Sequence, residues 1–377
     1  MKIVVVMDNL DLSIGGGVAS FVYDLCYELS KSVNNQLYLV GIVKTKNTND
    51  LLLNTLKKRG VSVFDLGVEN RKQALIYFGK YVRVLSSFLS NLSNKEKIVC
   101  NLHLKLGVLY GSLAACMLQN VKCVETYHSQ YKLYWLENKL LSPFISIYVP
   151  CSESAKGEFI KRFHPKKNKI ISIPNGIDRE KIKSIICPSS SNKKIAISVG
   201  RLTHQKNLCV TAKAFSKIDE DNFLYKIYGE GELKEKIISI SANTSNVKLY
   251  DPVSRQTILN ELSNSLIVVI PSRWEGLSIF MLEAMALDCP LMISNVESLR
   301  DIFEESPLKT GEKWRRCSWG YLVETNNEDA YYEAMKDFLN HLDFIDSMKK
   351  TVQHFSEKYD IKMTANRYME VFKNLIK

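Results

Sequence analysis

Glu275 and Glu283 stand near the two ends of Glu275-Gly276-Leu277-Ser278-Ile279-Phe280-Met281-Leu282-Glu283-Ala284-Met285-Ala286, the stretch of this 377-residue chain richest in chemical meaning. The apolar run Leu266 to Ile270 precedes it and stops at Pro271-Ser272. That pattern predicts a buried parallel strand, a loop and then a helix. With a helix start near Leu277 or Ser278, Glu283 lies on the helix and Glu275 in the loop ahead. Eight residues at helical rise put the acids about 12 Å apart, near a whole number of turns, so both face one way. The span suits a ligand with a hydroxyl-bearing group at each end of a diphosphate, the layout of a nucleotide-sugar. Between them, at Leu277 and Ser278, lie the free N–H groups of a helix start, where a diphosphate is stabilised. Spacing alone also allows a surface helix with two unrelated glutamates.

Other residues offer matching chemistry. Arg201 and Lys206 follow the strand-like run Ile195–Val199 and belong at its exit. Fixed cations there lower the barrier to departure of a diphosphate. Arg binds two phosphate oxygens at once, while Lys acts as a point charge. The plain alternative is two solvated cations. His128 ends the run Val124-Glu125-Thr126-Tyr127, and His103 closes Asn101-Leu102-His103 in a similar strand-end position. A lone histidine is more often structural. Gly16 and Gly17 permit close backbone approach, with the register left open by one because Gly15 precedes them. Tyr228-Gly229-Glu230-Gly231 lacks the third glycine of a dinucleotide fingerprint, which argues against NAD. Asp219-Glu220-Asp221 imitates a metal-binding acidic triplet but sits in a polar loop and reads as solvated. No other cluster has metal-ligand spacing, so neither metal nor other cofactor is expected.

The order of these signals resembles the family 4 retaining glycosyltransferases along almost the full length. Gly16-Gly17-Val18-Ala19-Ser20-Phe21 resembles the family's glycine loop, and Glu125-Thr126-Tyr127-His128 its strand-end histidine. Cys151-Ser152-Glu153-Ser154 and Ile173-Pro174-Asn175-Gly176-Ile177-Asp178 resemble the signatures closing the first domain. Val199-Gly200-Arg201-Leu202 with Lys206 resembles the start of the second. The resemblance implies that Arg201 and Lys206 contact the diphosphate, with Gly17 nearby. It gives Glu283 the ribose hydroxyls, Glu275 the transferring sugar near its third carbon, and His128 the sugar beside the reaction centre. His103 has a weaker claim on substrate. Retention is attributed in this family to front-face displacement. Two departures stand out: Asp288 replaces a usual glycine, and Glu297-Ser298 replace two small residues. The charged segment Phe303–Trp319 looks inserted, beside the donor pocket.

Length and a 46% hydrophobic content allow two domains of ordinary size. No apolar run approaches the roughly 18 residues needed to cross a bilayer. The nine cysteines are odd in number and scattered, which suits reduced thiols in a cytoplasm. Charge is uneven. Residues 1–175 hold 23 Lys+Arg and 12 Asp+Glu, whereas 176–377 hold 28 of each, so the whole excess of +11 lies in the first half. No nucleic-acid motif accompanies it, and an anionic membrane surface is the favoured partner over plain solvation.

Strand-like runs at Ile3–Met7, Leu37–Val43, Ile98–Leu102 and Ile145–Pro150 alternate with helical stretches at Gly17–Ser30, Arg71–Leu89 and Leu106–Gln119. A second series (Ile195–Val199, Leu224–Tyr228, Val247–Leu249, Leu266–Ile270, Leu291–Ser294) repeats the style. The fold class is α/β: two doubly wound, Rossmann-like parallel sheets, the GT-B arrangement with an interdomain cleft. The expected division is residues 1–175 for the acceptor, 176–357 for the nucleotide-sugar, and 358–377 as a last helix. The aperiodic segment Lys181–Lys194 ends the hinge. Tyr368, Phe372 and Leu375 share a face of the last helix. The resemblance sends that helix back to the first domain, and sequence alone leaves packing on the second open.

The reading that follows is a retaining, metal-independent hexosyltransferase using a nucleotide-sugar, UDP-linked by family frequency. Its expected acceptor is a glycan or lipid-linked glycan for surface polysaccharide or lipopolysaccharide, and its expected place the inner face of the plasma membrane. A non-catalytic subunit supporting an active partner, and a sugar-nucleotide epimerase, are the alternatives.

Overall fold

The computed structural model describes residues 1–377 other than 33, 46–50, 95, 129–138, 185–193 and 243, and the side chains of all these except 12–15 and 71. The chain divides into two compact units, Met1–Gly176 with Ile361–Lys377, and Ile177–Asp360. Most of the aperiodic hinge segment, with Cys187, lies outside the described residues. Its first part is ordered as a helix, Arg179–Ser184.

The first unit is built on strands β1 (Lys2–Asn9), β2 (Gln36–Val43), β3 (Ser62–Val68), β4 (Ile98–His103), β5 (Val121–Tyr127) and β6 (Ile145–Pro150). They form one parallel sheet in the order β3-β2-β1-β4-β5-β6. Ile3, Val4, Val5 and Val6 are all fully buried, as a strand covered by helices on both faces demands. The strand order reverses between β1 and β4, which leaves a crevice at their C-terminal ends. Gly107, just after β4, has no room for a side chain: a Cβ would lie 2.7 Å from the Val6 carbonyl oxygen.

Two helical expectations need correction. Arg71–Leu89 is not one helix. It breaks at Tyr77 (φ −100°, ψ 22°) into Arg71–Ile76 and Phe78–Ser93. The stretch expected at Leu106–Gln119 runs from Leu104 to Ala115. The last helix, Ile361–Ile376, belongs to the first unit and begins three residues later than position 358. Its Tyr368 and Phe372 are fully buried, and Leu375 is half-buried. Thr364 donates to the Pro174 carbonyl at 3.0 Å. The 3-10 turn Glu357–Tyr359 stays with the second unit, where the Ile177 N–H donates to Tyr359 O at 2.9 Å.

The second unit contains β7 (Lys194–Val199), β8 (Phe223–Tyr228), β9 (Val247–Tyr250), β10 (Ile267–Ile270), β11 (Leu291–Ser294), β12 (Trp314–Cys317) and β13 (Gly320–Val323). Their order is β12-β13-β11-β10-β7-β8-β9, parallel except for β12 against β13. Without β12 the order is that of the first sheet, with the reversal between β7 and β10. Phe215, Tyr225, Tyr331 and Phe338 fill its core.

The Phe303–Trp319 segment forms the edge of this sheet, three strands removed from β10. Its charges are satisfied locally. Arg315 pairs with Glu305 and Glu312, and Arg316 grips Asp337 through two nitrogens. Trp319 is buried and stacks on Phe303 at 4.3 Å. Asp288 takes φ 56°, the left-handed conformation that ends a helix and explains the glycine usual there. Lys183 holds its carboxylate at 2.9 Å.

Candidate functional site

In the second unit, the chemistry gathers where β7 and β10 leave the sheet side by side. The Ser278 hydroxyl accepts from the Met281 N–H at 3.4 Å and caps the helix Ile279–Ala286. The helix therefore starts one residue beyond the expected limit. Leu277 and Ser278 precede it, both buried, and one of the N–H groups expected to be free is capped within the chain. Glu283 lies on the helix and Glu275 in the loop, 6% and 7% exposed for Glu275 and Glu283 respectively.

Both acids already have cations. Lys206 Nζ lies 2.5 Å from Glu275 Oε1, which also accepts from Ser272 Oγ at 2.7 Å. Arg255 Nε donates to Glu283 Oε1 at 2.6 Å. Arg255 escaped the sequence reading because nothing in Asp251-Pro252-Val253-Ser254-Arg255 announces a ligand contact. Each buried carboxyl group is thereby hydrogen-bonded to a basic side chain, which offsets the cost of burying it. Arg201 is exposed, and among the described residues no carboxylate pairs with it.

The loop is braced from several directions. Arg273 N–H donates to Gln205 O at 2.8 Å, Gln205 Nε2 to Trp274 O at 3.0 Å, and Asn207 Nδ2 to Pro271 O at 3.1 Å. The glycines of Tyr228-Gly229-Glu230-Gly231 serve packing. A Cβ on Gly229 would stand 2.0 Å from the Gly200 carbonyl, and one on Gly231 2.6 Å from that of Leu202. In the acidic triplet, Glu220 pairs with Lys194, and Asp219 and Asp221 are exposed. No group of three His, Cys, Asp or Glu among the described residues is arranged to hold a metal.

In the first unit the candidate residues collect at the reversal between β1 and β4. Gly16 has φ 57° and ψ −147°, a conformation essentially restricted to glycine, inside the run Leu12–Leu29. Gly16 makes the bend and Gly17 follows it. Both are exposed, and a Cβ on Gly16 would meet nothing within 4 Å. Backbone geometry requires this glycine.

One turn further on, Phe21 packs edge-on against His128, ring centroids 5.6 Å apart. His128 Nε2 lies 2.9 Å from His103 Nδ1, and the two rings stack at 5.2 Å. Burial lowers the His128 pKa to about 3. Burial, and then the neighbouring His128, push His103 well below the ordinary histidine value. Both rings are neutral near pH 7. Glu125, on the opposite face of β5, is also buried; among the described residues one of its oxygens has no hydrogen-bond partner, and burial raises its pKa to about 8. The structure thus joins His103 to His128, and Lys206 to Glu275.

A family model described as "Glycosyltransferase Family 4" matches residues 15–181, and one described as "Glycosyl transferases group 1" matches 179–355. This chain belongs to the family 4 glycosyltransferases. The glycosyltransferase is 29% identical over 279 residues to an Escherichia coli protein named UDP-Gal:alpha-D-GlcNAc-diphosphoundecaprenol alpha-1,3-galactosyltransferase, covering 66% of this chain and 68% of that one. It is 24% identical over 211 residues to an uncharacterized glycosyltransferase of Methanocaldococcus jannaschii, covering 55% of each. Among solved structures, its fold is similar to a sucrose-phosphate synthase from Thermosynechococcus elongatus, with TM-score 0.80, 14% identity and coverage of 100% and 99%. Anabaena Alr3699/HepE in complex with UDP gives TM-score 0.74 at 12% identity, covering 99% and 100%. The glycosyltransferase therefore has the GT-B class of fold, with two Rossmann-like parallel-sheet units. No helix among its described residues is long and apolar enough to cross a membrane.

Proposed function

We propose that this glycosyltransferase moves a hexose or N-acetylhexosamine from a UDP-sugar to a lipid-linked glycan, retaining configuration at the anomeric carbon and using no metal ion. The observation that carries the reading is the Lys206–Glu275 pair at the adjoining exits of β7 and β10. It puts a fixed cation and a hydrogen-bond acceptor at the place where open α/β sheets bind nucleotides. In this proposal Arg201 and Lys206 meet the diphosphate, together with the backbone at Leu277 and Ser278. Glu283, steadied by Arg255, accepts from the ribose hydroxyls, and Glu275 accepts from the transferring sugar. On the first unit, Gly16 and Gly17 approach the diphosphate and His128 the sugar.

In the proposed reaction the bond between the anomeric carbon and the β-phosphate oxygen breaks, with its electron pair passing to the phosphate. The acceptor hydroxyl forms the new bond on the same face, and its proton goes to the departing phosphate. The cations stabilise charge that grows in the transition state, which is where such groups accelerate a reaction. The E. coli relative, whose name gives a UDP-galactose donor and a diphosphoundecaprenol-linked acceptor, supports this choice of substrates and a role in surface polysaccharide assembly.

A membrane-facing acceptor fits one feature of the first unit. Leu75, Ile76 and Tyr77, at the break between two helices, are 69%, 72% and 52% exposed. Exposed Lys72, Lys80 and Arg83 flank them. Apolar insertion with attraction to anionic headgroups of about 1 kcal/mol per basic residue would hold the protein at the inner leaflet.

The test is UDP release from UDP-galactose, UDP-glucose and UDP-N-acetylglucosamine, with and without N-acetylglucosamine-diphosphoundecaprenol and in the presence of EDTA. Product NMR would read the anomeric configuration. Acceptor-dependent release with an α-linked product is the expected result. UDP binding without turnover of any donor would favour the supporting-subunit alternative.

A further inference from the structure

Nothing assigned so far explains why a second histidine is buried against His128, or why the last helix returns to β5. We infer that His103, Asn101, Thr126 and Tyr368 form a positioning relay that fixes His128 as the Nε2–H tautomer, leaving its Nδ1 as a hydrogen-bond acceptor. The inference rests on the proposed role of His128 at the sugar.

The assignment follows from counting donors and acceptors, since protons themselves are inferred and not seen. Asn101 lies within hydrogen-bond distance of the Val124 carbonyl oxygen, at 3.2 Å. A carbonyl oxygen only accepts, so the amide nitrogen of Asn101 must face it. That nitrogen gives its second proton to Thr126 Oγ1 at 3.0 Å. Asn101 Oδ1 is then the atom 2.8 Å from His103 Nε2, and His103 must carry its proton there. A neutral ring has one N–H, so His103 Nδ1 is a lone pair. The proton in the 2.9 Å contact with His128 Nε2 therefore belongs to His128. His128 Nδ1 is left unprotonated, shielded from solvent and, among the described residues, without a partner. One backbone carbonyl sets the whole series.

The fold supplies this relay with rigid supports. Asn101 and His103 sit two residues apart on β4 and so share a sheet face. His103 pairs in register with Thr126. Immediately after His103, Leu104 takes φ 61°, a conformation costly for a non-glycine residue and common where a side chain is held for function. Asp8 accepts from the Leu106 and Gly107 N–H groups at 2.7 and 3.1 Å and holds the turn. At the other end, Thr126 Oγ1 lies 3.0 Å from the buried hydroxyl of Tyr368 on the last helix. Phe21 closes against both imidazoles.

The chemical consequence is specific. A neutral ring with its lone pair at Nδ1 can accept a hydrogen bond at that atom and cannot donate one from it. Partners that orient a functional histidine typically change activity by about 10- to 100-fold when removed.

The test uses the full chain labelled with 15N-histidine, whose six histidines include exposed His164, His204 and His354 as internal references. Long-range 1H–15N correlation at pH 7, assigned with His103→Leu and His128→Asn, should show both His103 and His128 as pure Nε2–H tautomers. Tautomer mixing at His128 like that of the exposed rings, or a proton on its Nδ1, overturns the inference without recourse to any activity. With UDP-galactose as probe, or whichever UDP-sugar is turned over, His103→Leu should lower kcat/KM about 10- to 100-fold. His103→Asn, which can restore an acceptor to His128, should recover most of that loss. Equal losses in the two folded variants would overturn the relay. If the tautomers are as expected but His128→Asn keeps full kcat/KM, the role of His128 at the sugar fails while the relay stands.

Discussion

The two units share a strand order and a reversal point, yet they place opposite kinds of chemistry there. At the end of β4 and β5 the first unit carries neutral rings, His103 and His128, and the uncharged relay behind them. At the end of β7 and β10 the second carries ions, Lys206 with Glu275 and Arg255 with Glu283. A Rossmann-like sheet therefore decides where a site lies but not its polarity. Polarity comes from what stands behind the strand ends. In the second unit the carboxylates are balanced by cations from other segments, Lys206 from a loop and Arg255 from the start of the helix Arg255–Ser263. In the first, the buried carboxyl of Glu125 has no paired cation among the described residues and is held neutral by burial, while that of Asp8 accepts from the Leu106 and Gly107 N–H groups.

Removing one ion from the second unit should break the contrast most severely. Lys206→Ala leaves Glu275 buried with Ser272 alone, and kcat/KM should drop about 100- to 1,000-fold. Stability should fall by roughly 2–3 kcal/mol, since an unpaired buried charge is costly. The double variant Lys206→Met with Glu275→Gln should recover stability without recovering activity. Denaturant titration beside a UDP-release assay reads both, and recovery of activity in the double variant would remove the pair from the reaction.

Arg201→Ala sharpens the same side. The side chain is exposed, so stability should shift by no more than about 0.5 kcal/mol, while turnover falls about 100-fold. An unchanged kcat in a well-folded variant would deny Arg201 the diphosphate.

For the first unit the lever is pH. Glu125 stays protonated in the native state up to about pH 8, whereas its ordinary value is 4.5. Between those values the native state holds more protons than the unfolded one, so this group's contribution makes stability decline as pH rises. The slope is at most about 1.4 kcal/mol per pH unit. Glu125→Gln lacks that decline, and its melting temperature should pull ahead of the parent's from pH 5 to pH 8, then keep a constant lead. Parallel curves across that range would mean that Glu125 ionises normally.

The smallest effect belongs to Tyr368→Phe. It removes one hydroxyl from the relay at Thr126 and should cost about 1 kcal/mol, read from the urea midpoint. A loss within error would mean that the Tyr368 hydroxyl does not help to hold the last helix.

Long, strongly apolar strands were legible because burial on both faces leaves an unbroken hydrophobic run, as in Ile3–Met7 and Leu266–Ile270. Of the edge strands, Ile145–Pro150 and Val247–Tyr250 were legible, whereas Ser62–Val68 and Trp314–Cys317 were not. Ser62–Val68 interrupts its run with Asp65 and Gly67, and Trp314–Cys317 is half charged, its arginines satisfied by neighbours such as Glu312 and Asp337. The helix break at Tyr77 also escaped notice, since Phe78, Tyr81, Val82 and Leu85 sustain the helical period through it. Within the site, residue types were readable and partnerships were not. Lys206 and Glu275 lie 69 positions apart, Arg255 and Glu283 28. Thr126 and Tyr368 are 242 apart.

By itself the sequence determined the two α/β units, the glycine run, and the acids, cations and strand-end histidines available for chemistry. Hydrophobic periodicity and local backbone preference act over a few residues, and those features are local. Only the tertiary structure decided which cation meets which acid, which histidine nitrogen keeps its lone pair, and that the last helix belongs to the first unit. Each of these depends on strand order and register, which bring residues far apart in the chain within hydrogen-bond distance.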